Sequence, residues 1–287
     1  MGRLIVNADD FGLTSGVNRA ILELHRAGVL TSTTLMARAM ASNEAIEIAR
    51  STPTLGVGCH IVLVDGEPVL PVSEVASLVD QKTGHFPHSI GTFLSRLSAR
   101  RMRMDQVEAE VRAQIESLQK RGVRLTHIDT HKHTHMFPPV LRAILRAART
   151  CGIRAVRNPF EPGWALRATA AAPWLRLAQV ASLRWFEPMC HRIIAEEGFV
   201  AADGTIAVAG TGVLDAANLR SLLQHMPEGT FELVTHPGYN DADLDRVRTR
   251  LRTSRDVERQ ALLTVRDYPS VELVSFADLS HASAPNS

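Results

Sequence analysis

RLIVNADDFGLTSGVNRAILELHRAGVLTSTTLMA (residues 3–37) holds the unit from which the fold is read. Its first part, RLIVNAD (3–9), is a short β-branched apolar run and reads as a buried strand. SGVNRAILELHRAGVL (15–30) follows, where Val17, Ile21, Leu22 and Leu24, and one turn on Val29 and Leu30, trace one helical face. Ser15 supplies an N-cap and Gly28 a C-terminal stop. TSTTLMA (31–37) then reads as a second strand. A strand, a helix and another strand in this order form a parallel β/α unit.

The alternation repeats along the chain. A helix over 42–50 leads to the strand LGVGCHIVL (55–63), and the helix DQVEAEVRAQIESLQKRG (105–122) leads to VRLTHIDTH (123–131). A helix over 139–151 leads to IRAVRNP (153–159). The strands TIAVAG (205–210), TFELVTH (230–236) and VELVSF (271–276) are separated by helices over 215–225 and 254–266. Seven or eight such units predict an α/β protein with a closed or nearly closed barrel of parallel strands. No GxGxxG follows the first strand, which argues against a dinucleotide fold. Two turn-rich or irregular stretches, 64–100 and 160–200, interrupt the pattern as βα insertions at strand C-termini, where barrel enzymes carry their active-site loops. One domain over 1–280 and a flexible polar tail at 281–287 are expected.

With 287 residues, 45% of them hydrophobic, the chain can bury a core without staples. Lys plus Arg (32) nearly balances Asp plus Glu (30), so nucleic acid is not expected as a partner. Three cysteines, Cys59, Cys151 and Cys190, form no CxxC pair and suit a reducing compartment. The opening MGRLIVNADDFG lacks the apolar length and the small-residue site of a signal peptide, and no apolar run reaches the ~18 residues of a spanning helix. A cytoplasmic protein is the expectation.

Ionisable residues gather where strands end. THIDTHKHTH (126–135) packs four histidines and an aspartate into ten positions. Alternation places His127, Asp129 and His131 on one face, which in a barrel is the lumen. Asp9 and Asp10 end the first strand; His60, Arg157 and His236 end three others. Taken singly, each has a bland reading: helix caps for the aspartates and Arg157, a core histidine for His60, a turn for His236, a solvated loop for the cluster. Strand C-termini converge on one rim of a barrel, so together the bland readings require five coincidences. A carboxylate with two neutral imidazoles is a facial ligand set with open positions, and Zn²⁺, Fe²⁺, Co²⁺, Ni²⁺, Mn²⁺ or Mg²⁺ could take it. Asp10 with two histidines, Asp9 as base and His236 as acid would meet the needs of metal-assisted hydrolysis.

The segments LIVNADDFGLTSGVNRAI, TSTTLM, GVGCHIVL, THIDTHKHTHMFP, RNP and LVTHPGY, in this order from residue 3 to 240, resemble those of the YdjC-like carbohydrate deacetylases. The resemblance implies a distorted (β/α) barrel that removes N-acetyl groups from amino sugars with one divalent metal ion, Mg²⁺ or Zn²⁺. It implies Asp10, His60 and His131 as metal ligands, Asp9 as general base, His236 as general acid and Arg157 as the charge orienting the base. Asp129 would then accept a hydrogen bond from a ligating imidazole, while His127, His133 and His135 support the site or line its mouth.

GCHIVLVDGEPVLP and GHFPHSIGTFL look most like the branch associated with hopanoid biosynthesis. That branch implies an N-acetylglucosaminyl group on a bacteriohopane polyol as substrate. Trp164, Trp174 and Trp185 with Arg167, Arg176 and Arg184 would give 160–200 an interfacial character, with peripheral contact at the inner membrane face; a helical lid or a homodimer contact is the simpler reading. The alternatives are a deacetylase of soluble chitooligosaccharides, a metal-dependent phosphoesterase, which usually wants two metals and more carboxylates, and a non-catalytic carrier.

Overall fold

The strand β1 (Gly2–Phe11) carries the sheet. In this computed structural model, which describes residues 2–169, 172–269 and 271–281, six further strands join it. They are β2 (Ser32–Leu35), β3 (Gly56–Ile61), β4 (Leu125–Thr130), β5 (Gly204–Ile206), β6 (Thr230–Thr235) and β7 (Val271–Val274). All pairings are parallel, in the order β4-β3-β2-β1-β6-β5. β6 lies along one edge of β1 from Arg3 to Ala8. The opposite edge is shared in tandem: β7 faces Gly2 to Ile5 and β2 faces Asn7 to Phe11. Bonded on both edges and covered on both faces, β1 buries Leu4, Ile5, Val6 and Ala8 completely, as the unbroken apolar run predicts.

Eleven helices connect and cover the strands among the described residues: α1 (Ser15–Arg26), α2 (Ser42–Ser51), α3 (Ile90–Ser98), α4 (Met104–Lys120), α5 (Pro138–Thr150), α6 (Gly163–Ala168), α7 (Trp174–Leu183), α8 (Glu187–Glu196), α9 (Ala216–Gln224), α10 (Thr253–Leu262) and α11 (Phe276–His281). α1 begins one residue earlier in its capping than expected: Thr14, not Ser15, accepts the Val17 N–H on its hydroxyl. It stops at Arg26; Gly28, at φ +73°, turns the chain so that the amides of Val29 and Leu30 return to the Leu24 carbonyl. Val17, Ile21 and Leu24 enter a continuous apolar cluster that also takes in Leu4 and Val6 of β1 and residues of α4, α5 and α9. No described helix is long and apolar enough to cross a membrane.

The strand expected over 153–159 does not form. Pro159 offers no N–H, and the Asn158 side chain is engaged, donating to the distant Ala202 carbonyl and accepting locally from Phe160 N–H. Single parallel bridges remain, Ile128 with Val156 and Ala155 with Val200, and Thr205 bonds the carbonyls of Asn158 and Phe160. Residues 153–160 thereby span the gap between β4 and β5, and the curled sheet becomes a distorted barrel. β5 also ends before the expected residue 210, because Ala207 adopts φ +70° and the Glu161 carboxylate takes the amides of Ala207 and Ala209 away from any ladder. The expected tail lies, from residue 282 onward, outside the described residues.

Both insertions are present. Residues 64–100 hold turns and α3 and are tied down where Glu110 of α4 accepts the amides of Val69 and Leu70. Residues 160–200 hold α6, α7 and α8. Trp164 packs edge-on against Phe231, whereas Trp174 and Trp185 are 74% and 87% exposed.

Gly58 in β3 has no room for a side chain. A Cβ there would stand 2.6 Å from His127 Nε2, and that ring is stacked on Phe276 at 3.8 Å between centroids. Gly58→Ala is expected to lower the unfolding free energy by ~1–3 kcal/mol. Calorimetry would check this; an unchanged melting temperature would mean the His127 ring yields freely.

Candidate active site

Neighbouring residues of a regular strand point to opposite faces, so Asp9 and Asp10 should not share a site. The structure brings them together by breaking the strand's regularity. The β1–β2 register shifts between Ala8 and Phe11, and Asp10 takes φ +66°, the left-handed region that costs a non-glycine residue ~1–2 kcal/mol. Both carboxylates are buried at the C-terminal end of β1.

Asp10 meets two imidazoles. Its Oδ1 lies 3.6 Å from His60 Nε2 and 3.4 Å from His131 Nδ1, and those nitrogens are 3.3 Å apart. His131 does not extend β4 as alternation suggested; it opens a 3₁₀ turn (His131–Met136) whose Lys132 and His133 are left-handed, at φ +58° and +52°. His131 is the exposed member, at 21% of its side chain. Asp10 Oδ1 is buried without a hydrogen bond, while Oδ2 is held by Arg255 Nη2 at 2.6 Å.

The three donors fit a cation. A point equidistant from three atoms so spaced lies about 2 Å from each, the length of zinc–nitrogen and zinc–oxygen bonds. An orphaned buried carboxylate oxygen aimed at that point is costly unless a cation meets it. Asp9, His60 and Asp129 are also close enough to one another to hold an ion, but both Asp9 oxygens and Asp129 Oδ2 already bond Arg157, and Asp129 Oδ1 bonds His60.

Arg157 is fully buried and is bonded through all of its nitrogens. Nη1 and Nη2 grip Asp9 at 2.9 and 2.6 Å, Nη1 reaches Asp129 at 2.6 Å, and Nε and Nη2 bond Glu232 Oε1 at 2.8 and 2.7 Å. Asp129 in turn bonds His60 Nδ1 at 2.7 Å, leaving Nε2 turned to Asp10, and Thr34 Oγ1 lies within hydrogen-bonding distance of both. His236, after β6, points Nε2 at Asp9 Oδ2, 3.8 Å away, with 13% of its side chain exposed.

The other histidines of the cluster divide. His135 is fully buried, with Nδ1 at Thr130 Oγ1 and Nε2 at the Arg157 carbonyl, so it supports the backbone of Arg157 and does not line the mouth. His127 lies deeper in the barrel, on Phe276. His133 is half-buried, with Nδ1 unpartnered. Glu232, Arg255 and Glu258 were not singled out from the sequence. A charge inside the apolar strand TFELVTH was a readable signal for Glu232; RTSRDVERQ carries no mark that Arg255 and Glu258 turn inward.

Charges follow from these contacts. Burial pushes the Asp9 carboxyl up, but the charge and hydrogen bonds of Arg157 outweigh it and hold the group well below the usual carboxylate range. Asp10 behaves alike, with Arg255 and then His131 overcoming burial. Burial would depress His60, yet the charge and hydrogen bond of Asp129, with Asp9 and Asp10 behind, raise it to about 9. Burial pushes Glu232 up to about 7 despite Arg157. Burial, then Arg157, push His133 well down and His135 to about 3, so both are neutral.

A family model described as YdjC-like protein matches residues 3–266. The chain belongs to the YdjC-like family. A carbohydrate deacetylase of Thermoanaerobacter pseudethanolicus is 31% identical over 266 residues, 91% of each chain. A chitooligosaccharide deacetylase of Salmonella typhimurium is 37% identical over 152 residues, 52% of this chain and 57% of that one. Among solved structures, a candidate cellobiose-phosphate cleavage protein of Enterococcus faecalis superposes with a TM-score of 0.75 at 28% identity, over 97% of this chain and 98% of that one. A lactam utilization protein of Thermus thermophilus, TM-score 0.54 at 14% identity over 95% and 99%, shares the fold.

Without a metal, the raised pKa of His60 makes stability depend on pH with a definite sign. Its contribution is fully present below pH 6.5 and is lost as pH rises through about 9. Chelator-treated protein is therefore expected to show a falling urea midpoint across that window, and His60→Gln is expected to flatten the fall. A slope unchanged in the variant would assign it elsewhere.

Proposed function

We propose that the protein is a metal-dependent hydrolase that removes the N-acetyl group from an acetylated amino sugar. The carrying observation is the unpartnered Asp10 Oδ1 facing His60 and His131, beside a carboxylate and an imidazole 3.8 Å apart. The printed activities of the relatives support the same chemistry. A divalent cation held by Asp10, His60 and His131 supplies Lewis-acid polarisation of the acetyl carbonyl and a more acidic water. Two nitrogens and one oxygen favour zinc over magnesium as that cation.

This chain's own residues do the rest. Asp9, ionised at neutral pH, takes a proton from the water as its oxygen bonds to the acetyl carbon. Arg157 holds Asp9 at both oxygens and so fixes its direction. His236 gives a proton from Nε2 to the sugar nitrogen as the carbon–nitrogen bond breaks, leaving acetate and a free amine. Asp129 holds the His60 ring so that Nε2 faces Asp10. A phosphoesterase would want a second metal, and Arg157 occupies the carboxylates that would hold it. The continuous core supports reading 1–280 as one domain.

Asp9→Asn is expected to lower acetate release by ~10²–10⁴-fold while metal binding by calorimetry persists. Turnover near wild type would remove Asp9 from the mechanism.

For the substrate, we propose a lipid-linked amino sugar, an N-acetylglucosaminyl group on a bacteriohopane polyol, met at the cytoplasmic face of the inner membrane. Support comes from the run from α7 through a 3₁₀ turn (Arg184–Phe186) to α8. Trp174, Ala178, Ala181, Trp185 and Met189 recur on it at helical spacing and are exposed. Of the arginines expected with them, Arg167 is exposed, whereas Arg176 bonds the Val208 carbonyl and Arg184 pairs with Glu187; exposed Arg192 of α8 adds a further positive charge, a composition suited to an anionic lipid surface. Trp174→Ser with Trp185→Ser is expected to reduce acetate release from N-acetylglucosaminyl-bacteriohopanetetrol at least several-fold and from diacetylchitobiose hardly at all. Equal losses would discard the lipid reading, release from chitobiose alone would leave a chitooligosaccharide deacetylase, and a dimer lost in the variant would make the stripe a subunit contact.

A further inference from the structure

One helical turn of α10 reaches into the site from behind. Its Arg255 and Glu258, both buried, contact Asp10 and His236. Glu258 Oε2 accepts the backbone N–H of His236 at 2.6 Å and lies 3.9 Å from that residue's Nδ1, a buried nitrogen otherwise without a hydrogen-bond partner. Its Oε1 accepts the amide of Gly212, in the loop after β5. Burial pushes Glu258 above the usual carboxylate range, and His236 is the first of the groups that oppose this.

An imidazole that gives a proton from Nε2 must keep its other proton on Nδ1, and a carboxylate facing Nδ1 selects that state. We propose that Glu258 is the positioning residue of His236: it fixes the backbone of His236, orients the ring, and keeps Nδ1–H turned inward so that Nε2 faces Asp9 and the substrate. This rests on the assignment of His236 as the proton donor. Glu258 touches neither substrate nor metal site in this arrangement, and acts through the ring.

Among the described residues, titratable and charged groups from three elements face His236. Asp9 and Asp10 come from β1, His133 from the turn after β4, and Arg255, bonded to the His236 carbonyl, from α10 with Glu258. Asp9 meets the ring at Nε2, and Glu258 meets it at Nδ1. Replacing its charge while keeping an acceptor oxygen therefore isolates the interaction.

The test uses the full chain and Glu258→Gln. Nitrogen NMR of the imidazoles, with the His236 signals assigned by their loss in His236→Asn, reports proton affinity and tautomer directly. In Glu258→Gln the proton affinity of His236 is expected to fall about tenfold and its neutral form to lose the Nδ1–H preference. On the N-acetyl sugar the enzyme turns over, kcat is expected to drop at least tenfold with KM little changed, and the alkaline limb of its pH profile to move about one unit lower. Unchanged His236 signals would overturn the proposal, as would equal effects on kcat and KM with an unmoved pH profile, the mark of a merely structural role. Full turnover by His236→Asn alongside altered His236 signals in Glu258→Gln would instead overturn the proton-donor assignment while leaving the coupling in place.

Discussion

One buried guanidinium sets the geometry of the centre. Arg157 is shared by Asp9, Asp129 and Glu232, three carboxylates from three different strands, none of which could stay ionised in the interior alone. Removing a partner from such a cluster strands an uncompensated charge, typically at a cost of about 3–5 kcal/mol. The cluster therefore ties the ends of β1 and β4 and the middle of β6 to a segment that is not itself a strand. Closure of the barrel between β4 and β5 and the direction of the Asp9 carboxylate depend on the same side chain.

Around that cation the backbone is bent where the chemistry needs it. Asp10, Lys132 and His133 take left-handed conformations, each disfavoured for residues with a side chain. The first brings a carboxylate to the same side as its neighbour, and the other two fold the chain behind His131 so that His135 can bond the Arg157 carbonyl. The strain is held by what is strongest nearby: a central strand bonded along both edges and the buried ion cluster. Asp10 in addition is clamped by Arg255 from a helix far along the chain.

Much of this was legible in the sequence because strands in a barrel end together. Asp9, Asp10, His60 and His236 are conspicuous as polar residues closing apolar runs, and the structure gathers them on one rim. The 153–159 segment misled because Val156 and its neighbours carry strand propensity, whereas Pro159 and the side-chain bonds of Asn158 decide against a ladder. His135 misled in the opposite way: a histidine in a polar run reads as exposed, yet its two ring nitrogens find partners inside. Arg255 and Glu258 were invisible, because in a helix rich in charges only tertiary packing tells which ones turn inward. The left-handed Asp10 was hidden as well, since the aspartate pair gives no sign of where the strand is bulged.

The tandem edge of β1 has a consequence for how the chain reaches this state. β1 precedes every strand it pairs with, and among the described residues the partners of its first half are β6 and β7, whose residues are joined far later. β2, close behind, covers only the second half of one edge. Until Val271–Val274 has been added, an apolar run of leucine, isoleucine and valine keeps one hydrogen-bonding edge open, a state prone to pair with another nascent chain. Such distant pairing also carries the largest loop-closure entropy and makes folding slow. The central strand of the finished sheet is thus made before most of the strands that complete it.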